Sequence, residues 1–276
     1  MRKLFAVALL GCLSAATSLA ADDWVTVKGR IVWDKKAAVP KREPIKATQD
    51  AELAAKDKEF LTEDYIVSEK TGGIKNVVVW LAPEPTAQQL KDLQARKLRD
   101  FPSFDAKAIH PAMAKPSKPS VEIDQPCCRF IPHIVLAQEG QDMVIKNSAP
   151  VPHNAKWESS NNGAVNPLLP AGGQFVVKGL KAERLPIKLE CSIHRWMNAY
   201  VKVFDHPYFA LTDEDGKFEI KNAPAGAGKL RLFIWQETGG YQGGAKGRLG
   251  ETIEVKAGTK DLGDITYAGT PVEGSK

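Results

Sequence analysis

A second long apolar run is missing from this chain. The one present, residues 4–13 after Met1-Arg2-Lys3, is shorter than the roughly 20 residues a bilayer-spanning helix needs. No other segment could cross a membrane as a helix. A run of one charge sign is missing too: 38 Lys and Arg against 33 Asp and Glu leave a formal +5, too mild and too scattered for a nucleic-acid partner. The glycine-rich residues 239–250 show no phosphate-binding pattern. Asp213-Glu214-Asp215-Gly216 lacks the ligand spacing and closing Glu of a calcium loop, so it reads as a turn.

Residues 1–20 read as a secretory signal peptide: a basic start, an apolar run, then small residues ending Ser18-Leu19-Ala20. The alternative is a lipobox-like Leu9-Leu10-Gly11-Cys12, with Cys12 carrying a lipid anchor. Both export the protein to the periplasm or the extracellular space. Cysteine is scarce, and export leaves three of the four, Cys127, Cys128 and Cys191, in an oxidising compartment. An odd number leaves at least one outside any internal disulfide. Cys127 and Cys128 either form a strained vicinal bridge or remain two partly buried thiols.

Residues 24–33 alternate apolar and polar side chains around Gly29, which predicts a strand with a bulge or close backbone approach, the first of a sandwich. A short polar helix is expected over 50–60 with Asp50 as its N-cap. Strands follow at 65–68 and 76–81. Ala87, Leu90, Leu93 and Leu98 predict one sizeable helix over 86–100. With the irregular residues 101–120, where His110 reads as a surface histidine, it makes an insertion at about 84–120. Further strands are expected at 121–124, 130–137, 142–147, 175–178, 185–190 and 199–204, and Glu139-Gly140-Gln141 predicts a hairpin joining the second and third of these. Many short strands and a single helix argue for an all-β Greek-key sandwich over residues 21–205. After Asp205-His206-Pro207 a strand–turn cadence predicts a second, small β-sandwich over 206–268, followed by a tail at 269–276.

The stretch LECSIHRWMNAYVKV, residues 189–203, places Cys191, His194 and Met197 in a C-x-x-H-x-x-M spacing between two predicted strands. A thiolate, an imidazole and a thioether on one short loop form a soft donor set suited to copper in two oxidation states. Upstream, VPHNAKW supplies His153 as a second imidazole. Taken singly, each has an ordinary reading: a buried cysteine, a core methionine, two loop histidines. Their joint occurrence points to a metal.

IKNSAPVPHN (145–154) with ECSIHRWM (190–197) resembles the copper-binding signature of the cupredoxins, with the short loop of the amicyanin-like group. Residues 24–240 are similar to a longer group of secreted, cupredoxin-containing proteins described as plastocyanin-like or methylamine-utilisation proteins. Thr212–Phe218 and Pro224–Gly226 resemble the T-D-x-D-G-x-F and P-x-G turns of carboxypeptidase-regulatory-like modules. The first resemblance implies a cupredoxin sandwich with one type 1 (blue) copper held by His153, Cys191, His194 and Met197. It also implies that Asn154 ties the two ligand loops together, that Ser192 receives its hydrogen bond, and that electrons pass through an exposed edge of His194. In relatives a cysteine at the position of Cys128 has an upstream partner; residues 48–60 hold none here. Arg195 stands where amicyanin-like loops commonly have Pro. His133 is either part of a second metal site or a buried structural histidine; strand alternation, which would put Cys128 and His133 on opposite faces, favours the latter.

Two imidazoles and a thiolate in a plane, with a long thioether bond above, suit both Cu(I) and Cu(II) and leave no open position for a substrate. The expected function is outer-sphere electron transfer with a redox partner protein, not catalysis. No second His-rich element of the H-x-H kind found in multicopper oxidases is present. The competing class is a cell-envelope binding or structural module that uses the site for copper carriage or stability.

Overall fold

The computed structural model describes residues 23–56, 60–126 and 128–267. The expected signal peptide, Cys12, Cys127 and the tail lie outside the described residues. Among the described residues no helix is long and apolar enough to cross a membrane.

Trp24–Trp33 forms the expected strand and buries Val25, Val27 and Ile31. Its partners are remote in sequence: Lys217–Pro224 antiparallel on one side and Gly258–Tyr267 parallel on the other. The register shifts between Lys28 and Arg30, where a Cβ on Gly29 would lie 3.1 Å from the Phe218 ring. Facing this sheet is a second, in which Val78–Pro83 runs between Phe209–Leu211 and Lys229–Gln236, and the latter also pairs with Glu251–Glu254. Val27, Ile31, Val79, Leu81, Leu230 and Tyr267 fill the space between them.

The strand Trp24–Trp33 therefore does not open the sandwich that carries His153 and Cys191, and the expected division at residue 205 cuts through two hydrogen-bonded sheets. The alternating pattern specified one buried face. It did not specify a partner, because both sandwiches offer a face to cover.

Residues 120–204 build the other sandwich. In one sheet Asn198–Phe204 lies antiparallel to Ile187–Glu190 and parallel to Ile134–Gln138. In the facing sheet Asp142–Lys146 lies antiparallel to Gln174–Val177 and parallel to Ser120–Ile123. Ile123, Val135, Ile145, Leu189 and Val201 meet between the two. The turn at Glu139-Gly140-Gln141 does not close a hairpin, since the strands on either side enter opposite sheets. Gly140 takes a φ of 91° and donates its N–H to Leu180 O, so the reversal crosses the sandwich instead of pairing neighbours.

The chain is thus all-β with a small helical insertion. The helix is Ala87–Gln94, shorter than its periodicity suggested. Thr86 Oγ accepts from Gln89 N–H and Gln89 Oε1 accepts from Thr86 N–H, a reciprocal cap that fixes the start. Arg96 turns into the left-handed region at φ 57° and ends it, leaving Leu98 exposed. The rest of the insertion folds back: Phe104, Ile109 and Met113 pack on the core beneath Trp24–Trp33. His110 Nδ1 accepts from Ala112 N–H and its ring meets Trp24.

The two sandwiches join through aromatic rings. Trp80 stacks on Phe233 with centroids 5.0 Å apart, and Tyr241 and Phe204 pack around it. His206, in the link between the units, is buried against Phe104 and Phe204 and accepts from Tyr208 N–H through Nδ1. Burial pushes its imidazole down to about 4, with the Asp205 charge opposing and Lys202 adding to the shift. The sign follows from the depressed value: below the unfolded pKa of about 6.5 the unfolded chain takes up a proton that the native site resists, so stability falls as the pH drops toward 4. The loss is at most about 3 kcal/mol. His206→Gln is expected to flatten this slope in urea unfolding between pH 7 and pH 4; an unchanged slope would show that His206 does not carry it.

Candidate metal centre

Ile187–Glu190 ends and Asn198–Phe204 begins on either side of a seven-residue loop at one end of the sandwich. His194 N–H donates to Cys191 Sγ (3.4 Å), Cys191 N–H to Met197 O (3.2 Å) and Met197 N–H to His194 O (2.8 Å). The loop is therefore closed on itself by its own backbone. His153–Asn154 pairs with Leu168–Leu169, and the reciprocal bridge between Lys156 and Glu190 brings this segment beside the loop. His153, Cys191, His194 and Met197 are all buried.

Nδ1 of His153 and Nδ1 of His194 each lie 3.9 Å from Cys191 Sγ, and the three donors lie within 4.8 Å of one another. Nitrogen and sulfur donors on bonds of about 2.0 and 2.3 Å to one ion in a trigonal plane sit about 3.7 Å apart. The observed spacing is that of ligands around an ion. Burial, reinforced by the neighbouring His194, pushes the His153 imidazole down to about 4, against the opposing charge of Asp50. Near neutral pH it is uncharged, which is the state a metal requires. Met197 packs in the same buried cluster as Cys191. Two imidazoles, a thiolate and a thioether enclosed in this way fit a single type 1 copper.

Asn154 links the two segments. Its Oδ1 accepts from Ser192 N–H at 2.7 Å and from Ile193 N–H at 3.4 Å, and lies 3.3 Å from Cys191 Sγ. Its Nδ2 donates to Asn166 Oδ1 (2.5 Å) and Ser192 Oγ (3.3 Å). Bonds of this kind fix where the donors stand before any metal arrives.

One expectation is overturned. His194 has no exposed edge: its side chain is fully buried, and Nε2 lies 2.7 Å from Asp50 Oδ2. Asp50 does stand at the N-cap position of Ala51–Ala54, but its side chain makes no capping bond. Sequence reasoning missed its place at the centre, and no local signal marks a partner 144 residues away. Trp196, beside His194, packs its ring edgewise on His194 and on Phe60, and donates from Nε1 to Cys128 O.

His133 stands just before Ile134–Gln138, so alternation does not govern its direction. Its Nε2 lies 2.7 Å from Glu237 Oε2 and its Nδ1 3.5 Å from Glu63 Oε2. Burial alone would lower the imidazole, but the Glu237 bond and the Glu237, Glu63 and Asp64 charges outweigh it and raise the pKa. Burial in turn raises the Glu237 carboxyl, against the bond and charge of His133 that lower it. Among the described residues, only His153, Cys191 and His194 place three His, Cys, Asp or Glu donor atoms close enough together to hold one metal ion. Cys128 is buried with φ 57°.

No protein-family model matches the chain, and no curated protein does. Among solved structures, a reduced amicyanin variant is similar at 17% identity over 33% of this chain and 88% of its own, with a TM-score of 0.29. A purple cupredoxin from Nitrosopumilus maritimus matches at 22% identity over 31% of this chain and 100% of its own, with a TM-score of 0.26. A copper-containing nitrite reductase from Thermus scotoductus SA-01 matches at 18% identity over 31% of this chain and 22% of its own, with a TM-score of 0.28.

Proposed function

We propose that this chain is an exported type 1 copper protein that passes single electrons by an outer-sphere route to and from a partner protein, and that it is not an enzyme. The observation that supports this most is the buried set of His153 Nδ1, Cys191 Sγ and His194 Nδ1, with both nitrogens 3.9 Å from the sulfur and Met197 in the same cluster. A copper ion bound there supplies a one-electron couple. The chain's part is to hold donors that suit both oxidation states in positions set by packing and by Asn154, so that little moves when the charge changes. Burial also excludes water and leaves no place for a substrate. Residues 1–20 support export to the periplasm or beyond, and the second sandwich, similar in its turns to carboxypeptidase-regulatory-like modules, serves as scaffold.

The test is to add Cu(II) to the mature protein and record visible absorption and EPR before and after ascorbate. An intense blue band with narrow hyperfine splitting, bleached on reduction, is expected. Weak tetragonal copper alone would overturn the proposal. Met197→Leu is expected to stay blue with a higher reduction potential, because losing a weak donor disfavours Cu(II) more than Cu(I). A colourless product would count against an axial role for Met197.

A second reading, copper carriage or stabilisation within the cell envelope, draws support from the seal over His194. Reversible redox turnover with a candidate partner protein decides between the two.

A further inference from the structure

We infer that Asp50 is a positioning residue for the metal centre: it fixes the tautomer of His194 and, as an anion behind that ligand, favours the oxidised form of the bound metal. The inference deepens the copper proposal and rests on it. Three observations meet at this residue. Asp50 Oδ2 lies 2.7 Å from His194 Nε2, with the imidazole fully buried and the carboxylate partly open to solvent. A carboxylate only accepts hydrogen bonds, so the ring proton sits on Nε2 and the lone pair of Nδ1 is left facing Cys191 Sγ.

The second observation is that Asp50 gives up a local role. An aspartate before a helix ordinarily sits in extended backbone and caps an N–H two or three residues on. Asp50 takes φ 47° and ψ 38°, the left-handed region, and makes no side-chain cap. The geometry turns the carboxylate to His194 instead of the helix.

Third, the two ligand histidines differ. Among the described residues His153 Nε2 is buried with no hydrogen-bond partner, so no polar group behind the ring orients it, whereas His194 has an outer partner. That partner is held in place by a closed segment: Arg42 Nε donates to Thr62 O, Pro44 bridges Leu61, Ile45 N–H donates to Phe60 O, and Phe60 packs on Trp196. An anionic acceptor raises the basicity of the ring it holds and stabilises the higher metal charge.

Asp50→Asn keeps the shape and the acceptor oxygen but removes the charge; Asp50→Ala removes both; Asp50→Glu keeps the charge at a longer reach. For Asp50→Asn we expect Cu(II) affinity to fall about tenfold relative to Cu(I). That ratio corresponds to a rise in midpoint potential of about 59 mV. Asp50→Glu should recover part of it. A metal-free readout stands beside this: the imidazole nitrogen shifts of His194 should report the Nε2–H tautomer in the parent protein and a mixture in Asp50→Ala. If the parent protein never turns blue, the copper proposal fails, while the tautomer measurement still tests Asp50. An unchanged potential in Asp50→Asn on a blue parent, or an unchanged tautomer in Asp50→Ala, overturns the inference. Thermal unfolding of each metal-free variant shows whether it folds, and the isosteric Asn form keeps the test open if the Ala form does not.

Discussion

Cys191→Ser is expected to abolish the intense visible absorption of the copper-loaded protein, leaving at most weak copper of tetragonal type. The band belongs to charge transfer from thiolate to copper, and this sandwich places one sulfur of that kind, Cys191 Sγ, between two imidazole nitrogens. A serine hydroxyl is a harder donor that stays protonated near neutral pH, so it fails both as a soft ligand and as a chromophore. The fold should survive. The new hydroxyl has Asn154 Oδ1 within reach, where Sγ now lies at 3.3 Å, so burying it costs about 1–2 kcal/mol at most. Loss of colour with a retained unfolding transition in the metal-free variant is therefore the specific result. His153→Ala should bleach the protein in the same way, at a larger cost in stability, because it opens a cavity at a fully buried ring. A blue spectrum in either variant would sink the assignment of these residues as ligands.

The two results rest on different kinds of information in the chain. Cys191, His194 and Met197 could be read from sequence because their geometry is local: the loop closes through hydrogen bonds among those same residues. His153 could be read only through its Pro-His-Asn setting, since the bridge from Lys156 to Glu190 that delivers it is a long-range pairing. Asp50 could not be read at all. An aspartate ahead of a short helical stretch already has a sufficient local explanation as a cap, and nothing in the pattern shows that the cap is not made. The strands show the same limit. Alternation located Trp24–Trp33 and the turn at Gly140 located a reversal, but a period of two says which face is buried and not which strand lies alongside. Hence the hairpin expected around Gly140 is a crossover between sheets, and the parallel pairing of Trp24–Trp33 with Gly258–Tyr267 had no local sign.

That long-range pairing carries the second large effect. A chain ended after Asp205 is expected to aggregate and to show no cooperative unfolding, although it keeps all four proposed ligands. Trp24–Trp33 would lose both of its strand partners, and Val78–Pro83 would lose Phe209–Leu211 and Lys229–Gln236 together. Two long strands would then present unpaired edges and an apolar face to water. Exposing Val27, Ile31, Val79, Leu81 and Trp80 alone forfeits about 10 kcal/mol at roughly 2 kcal/mol each, as much as the whole stability of an ordinary domain. The damage should reach the metal centre too. The segment bearing Asp50 follows Trp24–Trp33 directly in the chain, so disordering that sandwich loosens the hold on His194. Size-exclusion chromatography and thermal unfolding of the shortened chain check this. A monomer with a single cooperative transition and a blue copper spectrum would show that residues 206–267 form a separable module, and the sheets shared across residue 205 would then not be needed to fold the copper-binding sandwich.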